Sequence, residues 1–395
     1  MTSNYDLPPP SADALLISQQ LSAHIAKRLI QQNAPLSFAE FMELALYHPE
    51  WGYYQTPPIK LGAQGDFMTA PEISPLFAHC FAQQCRQLPD PLTRQILELG
   101  AGSGRFAADF LIRLAQQDTL PDHYYILEIS PALKARQQAH LRLHCPALLS
   151  RVTWLDQLPF EFSGVILANE VLDALPAHRM RLHHDTIEEG CVNWINDAFE
   201  WVYCKPTSPV LTHQFSALCQ QYHLKDTYVS EIHLRQQEMV QSLATCLSRG
   251  ILFLIDYGYG EREYYHPERS EGTLTCFYQH HRHANPFLYP GLQDITTHVN
   301  FTRVIETAAR HGCTLEGFTT QSAFLLASGL LSLAREAESH LLAADAFKLH
   351  QAIKRLTMPM EMGEVVKVMA LGKNIETFKE LKLTGFEGTD RSRDL

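Results

Sequence analysis

The sequence predicts a doubly wound α/β fold on a seven-stranded, mostly parallel sheet. Three observations predict it. From Thr93 onward, short apolar segments alternate with helical ones. Two of those segments, residues 164–169 (GVILAN) and 250–256 (GILFLID), are apolar without alternation, as strands covered on both faces are. A glycine turn, Gly100-Ala101-Gly102-Ser103-Gly104, joins the first strand to the helix after it.

The elements follow in order. Residues 11–33 place Leu15, Leu16, Ala23, Ile25, Ala26 and Leu29 near one helical face. Ser37 with Glu40 three positions on forms a capping box, so a second helix starts there and ends near His48-Pro49. Ser74-Pro75 opens a third helix that reaches residue 88. Strands are expected at 95–99, 124–128, 151–155, 164–168 and 251–256, with helices at 104–116, 131–144 and 234–248. Residues 179–205 are expected as a β-hairpin insertion, and 257–300 as a long loop rich in Tyr, His and Pro; a loop of that length in a compact domain is usually functional. A helix at 301–311 leads to a strand at 314–320. Helices at 323–335 and 340–356 precede the last strand, 365–371. The polar end of the chain is expected to fray. The organisation is therefore a helical and lid segment (1–92), the core (93–260), substrate-binding loops and helices with the last two strands (261–372), and a polar tail (373–395).

Composition narrows the function. The chain has 395 residues, 46% of them hydrophobic, enough for one large core with additions or for two domains. A net charge of −11 argues against a nucleic-acid partner held by phosphate neutralisation. Nine cysteines, none in Cys-x-x-Cys spacing, read as reduced thiols. No apolar run is long enough to span a membrane. The N-terminus lacks the basic and apolar regions of a leader, so a cytoplasmic location is expected. His280, His281 and His283 have no cysteine or carboxylate companions at ligand spacing, so no metal is expected and these imidazoles are read as lining the substrate groove or capping loop backbone.

The glycine turn points to a particular nucleotide chemistry. A pyrophosphate-binding fingerprint has its third glycine three positions after the second; here Gly100, Gly102 and Gly104 are evenly spaced. Glu98 precedes the turn, and a second strand ends in Glu128, an acid that can accept from both ribose hydroxyls. This is the pattern of a class I S-adenosylmethionine methyltransferase. The cofactor has no pyrophosphate, so glycines serve to let it approach the backbone, and carboxylates favour its sulfonium. A nicotinamide oxidoreductase remains the alternative. Ligands in open α/β sheets bind at the carboxyl ends of strands, which places Asn169, Glu170 and Asp173 at the reaction centre.

Further stretches resemble the MidA-like methyltransferase family. They are His48-Pro49-x-Trp51-Gly52-Tyr53-Tyr54, residues 65–74 (GDFMTAPEIS), the glycine turn, and Asn169-Glu170-Val171-Leu172-Asp173. Ile255-Asp256-Tyr257-Gly258, Gly272-Thr273-Leu274, Pro290-Gly291-x-Gln293-Asp294-Ile295-Thr296-x-His298-Val299 and Met362-Gly363-Glu364 complete the set. The resemblance covers roughly residues 40–372. Mitochondrial members of that family assist assembly of respiratory complex I by methylating an arginine of a core subunit. The resemblance thus implies S-adenosylmethionine as cofactor and a partner protein carrying a target arginine. Asn285 and Asn300 stand where the family usually has Asp.

A guanidinium acceptor would need carboxylates to hold it. Glu170, Asp173 and Asp256 are the expected catalytic residues, with Glu72 and Asp66 as further candidates. Asp66, Thr69, Glu98, Gly100, Gly102, Gly104, Glu128 and Asn169 are the expected cofactor contacts. A small-molecule acceptor, or an assembly factor that binds the cofactor without transfer, are the other readings.

Overall fold

The computed structural model describes residues 7–55, 69–339, 341–375 and 383–395. Seven strands, Gln95–Leu99 (β1), His123–Leu127 (β2), Val152–Leu155 (β3), Phe162–Asn169 (β4), Leu247–Tyr259 (β5), Thr314–Thr320 (β6) and Val366–Lys373 (β7), run across the central sheet in the order β6-β7-β5-β4-β1-β2-β3. The pairs from β5 to β3 are parallel, and β7 is antiparallel to both neighbours. The strand Val299–Asn300 adds in parallel to the end of β5.

Residues along β4 and β5 alternate between two apolar layers. Val165 and Leu167 join Ile251, Phe253 and Ile255 in one; Ile166 and Ala168 join Leu252 and Leu254 in the other. The first layer packs under helices Pro75–Arg86 and Arg105–Gln116, the second under Leu234–Cys246 and Phe301–Arg310. This two-sided burial is why the strands read as unbroken apolar runs. The capping box of Ser37 and Glu40 is present at the start of Phe38–Tyr47.

Four expectations change. The 179–205 hairpin is three strands, His178–His183, Thr186–Ile195 and Ala198–Cys204, which join Leu36–Ser37 and Val229–Ile232 in a separate antiparallel sheet. The 257–300 loop contains a second small sheet, Thr275–Tyr278 between His281–His283 and Asp294–Thr296. The helix expected at 323–335 is broken at Gly329, whose φ of 91° is left-handed, into Gln321–Ala327 and Leu330–Glu338. The described end of the tail does not fray: Phe386 is buried, and the Arg391 amide donates to the Phe318 carbonyl at 2.6 Å.

Candidate functional site

The carboxyl ends of β1, β2 and β4 open into a cleft of about 680 Å³, a volume ordinary for small-molecule sites. Among the described residues six carboxylates line it, from Glu43, Glu72, Glu98, Glu128, Glu170 and Glu238, against one guanidinium, Arg235. An acidic wall of this kind favours cations and disfavours phosphates.

The floor is the glycine turn. Gly100 (φ 59°) and Gly102 (φ 53°) are left-handed and line the cleft; a side chain there would be strained as well as intrusive. Gly104, expected among the cofactor contacts, is placed elsewhere. A Cβ on it would lie 3.0 Å from Gln137 Cα and 3.0 Å from Leu141 Cδ1, so it serves the approach of the helix Pro131–His144.

Glu128 directly follows β2 and is buried. It accepts from the Ser130 amide at 2.8 Å and from Gln137 Nε2 at 2.8 Å. Gln137 in turn reaches the Gly102 carbonyl at 3.2 Å and accepts from Trp154 Nε1 at 3.0 Å. Burial pushes the Glu128 carboxyl up, partly offset by these donors. Glu98 is also buried and accepts from the Tyr124 hydroxyl at 2.7 Å; burial pushes it up to about 8.

At the end of β4 the amide of Glu170 continues the ladder to the Ile255 carbonyl at 2.8 Å, and then the chain turns: Glu170 has φ 51°. Such a left-handed non-glycine residue is costly and is found at functional sites. Burial, then the Asp256 carboxylate, push the Glu170 carboxyl up to about 8, while the Ala70 amide donates to it and pulls the other way. Asn169 donates to Glu170 Oε1 at 3.4 Å, and its own Oδ1 is buried with no partner among the described residues. An orphaned acceptor beside a buried carboxyl suits a cationic or hydrogen-bonding ligand.

Asp173 and Asp256 are buried behind this wall and do not line the cleft. Asp256, expected to touch substrate, is instead occupied by backbone amides: Leu172 at 2.9 Å, Asp173 at 3.3 Å and its own neighbour Tyr257 at 2.8 Å. It holds the turn after β4 in place. Asp173 is pushed well up by burial, then by Asp256, Asp294 and Glu170.

The N-terminal segment roofs the cleft. Thr69 lines it and caps the helix Ala70–Ile73 without a side-chain bond; Ser103 of the glycine turn donates to Glu72 Oε1. Arg105 Nη1 donates to the Glu72 carbonyl at 2.9 Å. Asp66 lies outside the described residues. Tyr47 and Tyr54 stack at 5.5 Å and line the cleft; Tyr54 donates to Asp294 Oδ1 at 2.8 Å, and its carbonyl accepts from Ser130 Oγ at 2.7 Å.

Sequence reasoning missed Tyr47, Tyr54, Gln137, Ser103 and Asp294. Gln137 had a readable signal: it shares the buried face of its helix with Leu141, where an amide is out of place unless it has a partner. Asn285 and Asn300 have local bonds. Asn285 accepts from the Phe287 amide at 3.0 Å, and Asn300 caps Phe301–Arg310 by accepting from the Arg303 amide at 3.2 Å. His280 and His281 are exposed and His283 is buried, away from the cleft lining.

Comparison with known proteins agrees with this geometry. Residues 76–319 match the family described as "Putative S-adenosyl-L-methionine-dependent methyltransferase". A solved structure from Burkholderia thailandensis, bound to S-adenosyl-homocysteine, superposes with a TM-score of 0.92 at 36% identity, covering 99% of this chain and 100% of that one. The chain is 28% identical to "Protein arginine methyltransferase NDUFAF7 homolog, mitochondrial" of Drosophila melanogaster, over 94% of this chain and 90% of the relative. It is 26% identical to "Protein arginine methyltransferase NDUFAF7, mitochondrial" of Danio rerio, over 90% and 87%. These names overturn the expected cytoplasmic location, since the curated relatives are mitochondrial. No helix among the described residues is long and apolar enough to cross a membrane. The fold is that of class I methyltransferases and S-adenosylmethionine is the cofactor: the chain belongs to this family of S-adenosylmethionine-dependent methyltransferases.

Proposed function

We propose that the cleft transfers a methyl group to a guanidinium nitrogen of an arginine on a partner protein. The observation that carries this reading is Glu170: a half-buried carboxyl at the mouth of the sheet, backed by the buried Asp173 and Asp256. The names of the curated relatives support the same acceptor, and a role in assembling a respiratory complex fits their mitochondrial setting.

S-adenosylmethionine supplies an electrophilic methyl group on a sulfonium. Glu98, Gly100, Gly102, Glu128 and Asn169 are the described residues placed to hold that cofactor, with Thr69 above. Glu128 offers its carboxylate to the ribose hydroxyls. Glu170 does the rest of the work. Its carboxylate binds the acceptor guanidinium, turns one nitrogen toward the methyl group and localises electron density on it. As the new N–C bond forms and the S–C bond breaks, the guanidinium nitrogen sheds a proton, which Glu170, held near pKa 8, is suited to take. Asp256 keeps the turn after Glu170 in register.

The test is calorimetry with S-adenosylmethionine, followed by transfer of a labelled methyl group into a mitochondrial extract and mass spectrometry. Label on an arginine of a protein is the expected result. Label confined to small metabolites would assign a different acceptor.

A further inference from the structure

A row of rings leads away from Glu170. The Tyr257 phenol is held well up by burial and by the Glu170 and Asp173 carboxylates, so it adjoins the acidic wall. On its other side the His298 ring stacks at 6.3 Å and 21°. The Tyr259 ring follows, 5.2 Å from His298. All three residues are half-buried. The Arg269 guanidinium lies 4.0 Å from the centroid of the Tyr259 ring, and Lys367 Nζ is 5.5 Å from the same ring. Arg269 is fixed by donating through Nη1 to the carbonyls of Glu263 and Tyr264. Arg282, exposed on the strand His281–His283, adds its charge: it acts on His298 together with Arg269 and Lys367.

Cations are out of keeping with their surroundings here. The chain carries −11 overall, yet this strip gathers Arg269 and Arg282, with Lys367 buried beneath them and donating through Nζ to the Glu364 carbonyl. Two of the acids that act on Lys367, Glu364 and Asp394, are already paired with Arg391 at 3.4 Å and 2.6 Å. Glu263 remains. In addition, His298 Nδ1 is buried with no partner among the described residues, although its backbone amide donates to Thr273 Oγ1 at 3.0 Å. A half-buried imidazole without a side-chain hydrogen bond among the described residues, in the field of two guanidinium groups, marks a place suited to a carboxylate.

We propose that the Tyr257–His298–Tyr259 strip, with Arg269 and Arg282, binds an acidic side chain of the substrate polypeptide next to the target arginine. This rests on the arginine-acceptor reading. With a guanidinium at Glu170, whose amide donates to the Ile255 carbonyl of β5, the neighbouring residues of an extended peptide would follow the end of β5 past Tyr257 and Tyr259 toward His298. The aromatic faces support the peptide, and the cations select an acid. The arrangement explains how a strongly acidic enzyme keeps hold of an acidic segment: local cations offset the repulsion of the whole.

The experiment uses the full chain saturated with S-adenosylhomocysteine and three fluorescein-labelled peptides. One carries a single arginine flanked by glutamates. The second has glutamines in place of the glutamates. The third keeps the glutamates and has lysine for the arginine. Anisotropy should show the acidic arginine peptide binding about tenfold tighter than its glutamine counterpart, as charge-assisted bonds to two cations would give. Arg282→Glu, an exposed change that leaves the melting temperature unaltered, should abolish most of that preference, and Arg269→Gln should weaken it. Equal binding of the glutamate and glutamine peptides, or a preference untouched in both variants, would overturn the proposal. So would displacement of the acidic peptide by a short oligothymidylate, which would make the strip a nucleic-acid site. The lysine peptide separates the two ideas: if the glutamate preference survives while arginine and lysine bind alike, the arginine clamp fails and the acidic-peptide strip stands.

Discussion

Gln137 and Glu128 are joined by a 2.8 Å hydrogen bond, and the same Gln137 nitrogen reaches the Gly102 carbonyl at 3.2 Å. One amide thus fixes the distance between the glycine turn and the carboxylate at the end of β2. In the proposed reading those two features hold one cofactor between them.

Glu128→Ala should weaken S-adenosylmethionine binding by about 1–3 kcal/mol through lost charged hydrogen bonds. Gln137→Leu should weaken it by about 1 kcal/mol although Gln137 does not line the cleft, because Glu128 loses its brace. Titration calorimetry reads both. An unchanged affinity in Gln137→Leu would mean that Glu128 is held by the Ser130 amide alone.

Gly102→Val should abolish cofactor binding while the chain still folds. The branched side chain would enter the cleft and sit at a φ of 53°, a conformation that costs an L-residue about 1–2 kcal/mol. Gly104→Val should behave differently. Its Cβ would press on Gln137 and Leu141, so the melting temperature should fall along with affinity. Thermal unfolding beside calorimetry distinguishes the two.

Glu170→Gln keeps shape and removes the charge. Turnover on an arginine peptide should drop ~100-fold or more, equivalent to about 2.7 kcal/mol of lost transition-state stabilisation, and S-adenosylmethionine affinity should change little. Affinity falling in step with turnover would place Glu170 on the cofactor instead. Because Glu170 holds its proton up to about pH 8, parent turnover should rise between pH 7 and 8 as the carboxylate forms, and this limb should be missing in the variant.

The same buried acids make stability depend on pH. Glu98 rises from an ordinary 4.5 to about 8 through burial. The folded chain therefore keeps a proton that the unfolded chain releases between those values. That contribution is fully present below about pH 4.5 and is lost as pH rises through about 8. The ligand-free melting temperature should fall from pH 5 to pH 8. Glu98→Gln should flatten part of that slope. A parent profile without slope would contradict the burial of these carboxyls.

Asp256→Ala should lower both stability and turnover. Removing the acceptor leaves the Leu172, Asp173 and Tyr257 amides short of a partner, at a cost of about 1–3 kcal/mol for such buried groups. A variant that melts like the parent but has lost turnover would restore Asp256 to direct contact with substrate.

Much of this was legible in the sequence, and the reasons are local. The bounds of β1, β6 and the helix Pro131–His144 follow from apolar runs, a glycine turn and a proline in the first helical turn, all signals carried within a few residues. Glu98, Glu128, Asn169 and Glu170 were readable as strand-end residues, because topology fixes where such ends meet. Asp256 also ends an apolar run, but nothing local says that its carboxylate bends back onto three amides. Tyr54 and Asp294 lie 240 residues apart, so no local pattern could pair them. The separate antiparallel sheet was missed for a similar cause: its strands come from 36–37, 178–204 and 229–232, and only the middle part reads as a hairpin.

That sheet has one further consequence. Leu36–Ser37 pairs with Cys191–Val192 on the strand Thr186–Ile195, beyond the stretch covered by His178–His183. It is a two-residue plug on an otherwise open edge. A chain trimmed to begin at the central sheet would leave those amides and carbonyls bare beside the apolar Val192, and bare edges recruit other strands. The opening helices therefore do more than roof the cleft. They cover part of a strand edge, and a minimal catalytic fragment made without them should be prone to aggregate.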